Sequence, residues 1–189
     1  MRLFRAHSSR YGATEFNARA GTPGRFRPIR AGRRVVPTLY AADLPAGALS
    51  ETVLHDVPVE AAVKRVRVSR FDNVLLSTIA PIRDLHLIRL HGHGFHRLKV
   101  SRAKLIESEA DCYPQLAPWG QALYECPAAA DGLLWRSRHY DDSYACLLFG
   151  GRVGRRELEV VEPSLPLALG RGLELLEELA EAGDITLVA

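Results

Sequence analysis

The densest group of potential ligands in the chain is LHGHGFH, which holds His91, His93 and His96. Residues two apart on a strand point the same way, so His91 and His93 could share a metal ion. Gly92 and Gly94 suggest instead that a strand ends here, and no carboxylate or cysteine ligand sits beside them. The segment reads as a polar loop, and no metal is expected. His7, His86 and His139 stand alone and read as structural. Standard enzyme signatures are missing. Gly150-Gly151-Arg152-Val153-Gly154 lacks the GxxxxGK[ST] spacing and a following helix, so it reads as a turn. No GxSxG elbow surrounds Ser137, which lies in WRSRHY, and Cys112, Cys126 and Cys146 have no persuasive histidine partner.

A dispersed set remains. Arg25 follows a glycine in GRF, Tyr40 lies near the end of TLYAA, Glu51 falls in ALSETVLHD, and Ser137 ends DGLLWRS. Each has a plain structural explanation when taken singly: a surface arginine, a half-buried tyrosine, a helix carboxylate, a strand-end serine. Charge distribution adds to the case for a site. Arginines 2, 5, 10, 19, 25, 27, 30, 33 and 34 face only one acid, Glu15, in the first 34 residues. Such a basic segment could meet a phosphate-bearing ligand or an acidic partner, or it could be a solvated face.

The elements that must position these residues follow from pattern. RLFRAH alternates as a first strand does. The Gly-, Pro- and Arg-rich stretch from Gly12 to Pro37 reads as a long irregular loop, a kind of segment that usually carries function. PTLYAA reads as a strand, and Asp43 can cap a helix running from Leu44 to Asp56, with Pro45 in its first turn. Val66–Val68, VLLSTIAP, DLHLIRL, GLLWRS, YACLLFGG and ELEVVE read as strands. RAKLIES and YPQLAPWGQALYE read as helices, the second interrupted at Pro118. In LALGRGLELLEELAEAG, Leu169, Leu173, Leu176 and Ala180 recur at helical spacing and Gly183 offers a stop. ITLVA would close the sheet. Strands and helices mix without βαβ alternation, which predicts an α+β fold with a mixed, mostly antiparallel sheet.

Composition sets the outer bounds. A chain of 189 residues fits one domain, 1–189, and can bury a core without disulfide or metal. Three cysteines with no CxxC pair suit a reducing compartment. MRLFRAHSSRYG has no apolar signal core, and no run approaches the ~20 apolar residues of a membrane span. A cytoplasmic address is expected, without membrane attachment. A net charge of +3 is too small to imply direct nucleic-acid binding.

The dispersed residues come in an order that resembles the RES-domain family, named for an arginine, a glutamate and a serine. The resemblance starts in TPGRFRPI, continues through VVPTLYAADLPAGALSETVLHDVP, and returns in YPQLAPWGQALYE and DGLLWRSRHYDDSYACLLFGGR. It spans residues 2–155 and includes the eleven-residue step from Tyr40 to Glu51. One departure is Arg25-Phe26-Arg27, where the family often has Arg-Trp-Asn. Arg27 would then offer a phosphate contact in place of the asparagine.

The resemblance implies a fold similar to ADP-ribosyltransferase toxins and an activity that cleaves NAD at its nicotinamide–ribose bond. It also implies a toxin neutralised by an antitoxin with a helix-turn-helix part. Bond cleavage leaves an oxocarbenium-like ribose that a carboxylate stabilises, and Glu51 is the candidate. Arg25 and Arg27 would take the pyrophosphate, which guanidinium binds in a bidentate way. Tyr40 could stack on the nicotinamide or the adenine. Ser137 could bond the ligand or position Glu51. The acceptor stays open among water (a glycohydrolase), phosphate (a phosphorylase) and a protein side chain (an ADP-ribosyltransferase). Two other classes compete: a domain that binds a nucleotide or partner without turnover, and a metal-dependent hydrolase built on the histidines.

Overall fold

A computed structural model of the chain describes residues 1–19, 24–54, 57 and 61–189. In chain order it contains β1 (Leu3–Ser8), β2 (Ile29–Ala31), β3 (Arg34–Val36), β4 (Thr38–Ala42), α1 (Pro45–Thr52) and β5 (Lys64–Arg67). There follow β6 (Val74–Pro81), β7 (Leu87–Leu90), α2 (His93–Leu98), α3 (Arg102–Leu105), α4 (Tyr113–Glu125) and β8 (Gly132–Arg136). The last elements are β9 (Tyr144–Phe149), β10 (Leu158–Pro166), α5 (Gly170–Ala182) and β11 (Ile185–Val188).

Seven strands form the main sheet in the order β10-β6-β1-β4-β9-β8-β7. Neighbours run antiparallel except β7 beside β8, so the expected α+β class with a mixed, mostly antiparallel sheet is the observed one. One seam in this sheet is thin. β1 pairs along its whole length with β6, and β4 pairs along its whole length with β9. Between them β1 and β4 share a single register pair, Phe4 with Ala42. Past that pair the two strands part.

Three apolar clusters hold the layers together. On one face, Phe26, Leu133, Trp135, Leu147 and Phe149 pack under α4 through Leu116 and Leu123. Beyond the seam, Ala42, Leu49, Leu76 and Leu176 join α1 and α5 to the sheet. Leu3, Leu39, Ile79, Leu148 and Val153 fill the opposite face. Each large side chain buried in this way contributes about 1.5–3 kcal/mol.

Two glycines permit close approaches that matter for the site. A Cβ on Gly120 of α4 would lie 2.2 Å from the Phe26 carbonyl oxygen. A Cβ on Gly47 of α1 would lie 2.0 Å from Ser143 Oγ. Real Cβ atoms do not come so near, so glycine lets α4 reach the arginine loop and α1 reach the turn after β8.

Several local expectations are corrected. The stretch from Gly12 to Pro37 contains the hairpin of β2 and β3, because Gly32, with φ +59°, supplies its turn. Asp43 does not cap α1: Leu44 is the N-cap with no side-chain bond, and the Asp43 carboxylate accepts from Ser143 Oγ at 2.6 Å and Tyr144 N at 2.8 Å. The distal end of that expected helix includes His55 and Asp56, which lie outside the described residues. Pro118 does not interrupt α4. It removes one N–H, while Leu116 and Leu123 stay buried and hold the helix down. LHGHGFH is not a loop throughout, since His93–Leu98 form α2. In α5, Leu176 and Ala180 are buried, Leu173 packs half-buried beside them, and Leu169 is exposed at the N-cap. ITLVA becomes β11 but joins β5 in a separate parallel pair instead of closing the main sheet.

Candidate functional site

Where β1 and β4 part, a cleft of about 410 Å³ opens, lined from both strands, from the Gly24–Arg27 loop, and by Glu51, Thr52, Tyr113 and Trp135. Four of the five residues singled out from the sequence line it: Arg25, Arg27, Tyr40 and Glu51. Ser137 does not appear among the lining residues.

Glu51 sits in the last turn of α1, half-buried, and its Oε1 accepts from the Arg138 backbone N–H at 3.1 Å. That N–H is presented by a turn which Ser137 builds. Ser137 is fully buried, and its Oγ accepts from the N–H groups of His139 at 3.2 Å and Tyr140 at 3.0 Å. Ser143 and Asp43 tie the same turn to the start of α1. Ser137 thus reaches Glu51 only indirectly, through the Arg138 N–H of the turn. Both acceptor positions of the serine hydroxyl are used within the turn.

Arg25 is 7% exposed and already committed in part. Its Nη1 donates to Leu105 O at 3.2 Å and Ser108 Oγ at 3.0 Å, and its Nη2 donates to Ser108 O at 3.2 Å. Its guanidinium lies 5.2 Å from the Tyr113 ring centroid. A guanidinium has five donors, so these bonds leave Nε–H and one Nη2–H for another acceptor. Arg138 donates to the same Ser108 oxygen at 2.8 Å and to Glu107 O at 3.0 Å. Burial lowers the Arg25 pKa, with Tyr113 opposing and Arg138 adding to the shift. Two cations thus share one carbonyl behind the cleft, which favours an anion in front of them.

On the other wall, Arg5 and His7 are buried charged or polar residues of β1. Arg5 Nη1 donates to Ala13 O at 2.7 Å, and desolvation lowers its pKa to about 10 against the pull of Glu15. The His7 ring bridges Ser8 O at 3.0 Å and Ser77 Oγ at 2.7 Å, and burial lowers its pKa.

Toward the sheet the cleft becomes aromatic. Trp135 meets Phe26 and Tyr40 edge-on, with centroids 5.5 Å and 6.1 Å away. Burial raises the Tyr40 pKa to about 12, while Arg27, the Phe26 amide and Arg25 oppose the shift. Tyr40 Oη, Thr38 Oγ1 and Trp135 Nε1 are buried without a hydrogen-bond partner.

Motif reading missed several residues at or behind the cleft, among them Arg5, His7, Thr38, Tyr113, Trp135 and Arg138. Thr38 had a usable signal, since it lies two before Tyr40 on a strand and so shares its face. Trp135 lies within the block that carried Ser137. Tyr113 and Arg138 are recruited by tertiary contacts that spacing does not encode. The clustered histidines His91, His93 and His96 stay apart from this site. The His91 ring rests 5.0 Å from Tyr144, and His93 and His96 face one another at 6.0 Å along α2. Among the described residues, no three of His, Cys, Asp or Glu are grouped to hold a metal. No helix among them is long and apolar enough to cross a membrane.

The cleft of this parted, mostly antiparallel sheet is lined by the buried Arg5 and Arg25, by Tyr40 and Trp135, and by Glu15 and Glu51, and sequence comparison identifies the family. The RES-domain model matches residues 2–169, and the chain belongs to the RES-domain family. The match extends beyond residue 155 and takes in the edge strand β10. Comparison with curated proteins finds no match. Among solved structures, the chain is similar to one from the M. tuberculosis MbcT–MbcA toxin–antitoxin complex, with a TM-score of 0.65 and 15% identity. The similarity covers 95% of this chain and 88% of that one. At that identity it is a likeness of fold.

Proposed function

We propose that this chain is the toxin of a toxin–antitoxin pair and breaks the nicotinamide–ribose bond of NAD. The observation that carries the reading is that Glu51, Arg25, Arg27 and Tyr40 line one cleft although they are far apart in sequence. Its volume of about 410 Å³ falls within the range of small-molecule sites. The likeness to a chain of the MbcT–MbcA toxin–antitoxin complex supports the partner half of the proposal.

In this mechanism the remaining donors of Arg25, together with Arg27, take pyrophosphate oxygens. The bond from ribose C1′ to the nicotinamide nitrogen breaks, and its electron pair neutralises the cationic ring. Positive charge moves to the ribose, where the Glu51 carboxylate stabilises it. The Arg138 N–H bond keeps Glu51 aimed without neutralising it. An acceptor oxygen then forms the new bond to C1′ and loses its proton to solvent. Water, phosphate and a protein side chain give three different products from the same first step.

Incubating the purified protein with NAD, with and without phosphate, and identifying the products tests this directly. Release of nicotinamide is expected, and the ribose product names the acceptor. Intact NAD under both conditions overturns the catalytic reading in favour of a binding domain. The partner half is tested by co-expression with the adjacent gene, expected to encode a helix-turn-helix antitoxin. A complex and rescued growth are expected; neither appearing refutes it.

A further inference from the structure

Arg25 and Glu51 come from separate parts of the chain, yet one short segment stands behind both. It runs from Leu105, the last residue of α3, to Glu109. From the cleft side, Arg25 binds it through Leu105 O, Ser108 Oγ and Ser108 O. From the other side it is held by Arg138. Nη1 of that residue donates to Glu107 O at 3.0 Å and Ser108 O at 2.8 Å, and Nη2 donates to Glu109 Oε2 at 3.2 Å. Nε donates to His139 Nε2 at 2.7 Å. Four of the five guanidinium N–H groups are thus used inside the fold. The side chain is 14% exposed, and Arg138 is not among the residues that line the cleft.

The same residue reaches the cleft through its backbone, where its N–H donates to Glu51 Oε1 at 3.1 Å. A continuous path therefore joins the two ligand-facing groups. It leads from Glu51 to the Arg138 amide, along the Arg138 side chain to Ser108 O, and from there to Arg25. Its ends are the carboxylate and the guanidinium given above to the ribose and the pyrophosphate. A second cation so close to Arg25 is unfavourable in itself: burial lowers the Arg25 pKa, and Arg138 lowers it further. What the guanidinium supplies in return is geometry. It is planar and rigid, so bonds from all three of its nitrogens fix orientation as well as distance.

We propose that Arg138 is a positioning residue whose side chain sets the separation and aim of Glu51 relative to Arg25 without touching the ligand. This role rests on the NAD reading above and adds to it what keeps the two charged groups matched to a substrate that spans them. Misplacing a catalytic group by about 1 Å is enough to lower a rate on the order of 10²-fold.

Single-turnover cleavage of saturating NAD by the full chain tests the assignment, because slow variants stay measurable at high protein concentration. Arg138→Lys and Arg138→Ala are each made in the wild-type and in the Glu51→Gln background. Lysine keeps the charge but presents one nitrogen in place of three. In the wild-type background Arg138→Lys is expected to slow cleavage about tenfold, and Arg138→Ala somewhat more. In the Glu51→Gln background each is expected to slow it less than about twofold, since the charge being aimed is gone. Equal losses in both backgrounds overturn the proposal, because Arg138 then supports the fold and not Glu51. Wild-type rates in both Arg138 variants also overturn it and leave the NAD reading standing. If the wild-type protein leaves NAD intact, the positioning role and the NAD reading fall together. Should Arg138→Ala melt early, the two lysine variants decide alone.

Discussion

Two regions of the molecule gather arginines and carboxylates, and they are built in opposite ways. Around Arg83 the charges are closed upon one another. Its guanidinium donates to both oxygens of Asp131 at 2.8 Å and to Glu157 at 2.5 Å, and the His86 amide completes Asp131 at 2.9 Å. The hydrogen bonds from Arg83 hold both carboxylates below their ordinary pKa. In the cleft, Glu51 accepts from one backbone N–H and forms no ion pair among the described residues, while Arg25 turns to carbonyl and hydroxyl oxygens. The closed cluster has nothing left to offer a ligand. The open one keeps a carboxylate without an ion pair among the described residues and spare Arg25 donors. An ion pair staples a fold; a separated acid and base wait for something between them.

The largest expected effect breaks that contrast at its open end. Glu51→Gln keeps the shape and the acceptor for the Arg138 N–H but removes the charge. NAD turnover should fall on the order of 10²–10³-fold, with NAD affinity and melting temperature little changed. Kinetics and a melting curve on one preparation check it. A fully active variant would falsify the catalytic assignment.

Arg25→Ala should act on both quantities. Three hydrogen bonds to the Leu105–Ser108 segment vanish with the side chain. Stability should drop by about 2–3 kcal/mol, and NAD binding should weaken as well. Chemical denaturation beside an NAD titration separates the two losses. If binding weakens with no change in stability, the guanidinium is a pure ligand contact and its carbonyl bonds count for little.

Asp131→Asn sharpens the closed end, with a smaller stability loss of about 1–2 kcal/mol and no change in NAD turnover. Its pH signature follows from the direction of the shift. A carboxylate held low by Arg83 stabilises the fold above its ordinary pKa near 3.9, and that contribution disappears as pH falls through the depressed folded value. The gap between wild type and variant should therefore shrink in acid. A gap that stays constant with pH means the ion pair does not set it.

Legibility in the sequence followed the range of the interaction. Strands such as LFRAHS and VLLSTIAP carry their own pattern and were readable. So was the ordered set of Arg25, Tyr40 and Glu51, through its resemblance to a family. Asp43 misled because the local rule for helix caps competes with a tertiary partner, Ser143, a hundred positions away. ITLVA was legible as a strand but not as the partner of β5, since nothing in four residues fixes which edge they join. Ser137 is legible as a candidate, but its place in a buried turn beside the cleft depends on how the chain folds back after β8. Thr38 and Trp135 needed the register of three strands before they could be set on one wall.

The smallest expected effect concerns the histidines, where the comparison predicts no change at all. His91, His93 and His96 look like ligands in the sequence because they are close together. Folding keeps them out of the cleft: none lines it, His91 packs on Tyr144, and the other two lie on α2. The proposed chemistry has no step that calls for a Lewis acid. The ring nitrogen that departs is already cationic and leaves as a neutral pyridine, so no metal is needed to activate it. NAD turnover should therefore be the same before and after dialysis against a chelator, and the same again in His93→Ala and His96→Ala. Activity lost on chelation and restored by zinc would break the comparison at its root. It would move the catalytic centre from the parted strands to the sequence cluster, and Glu51 would become a bystander.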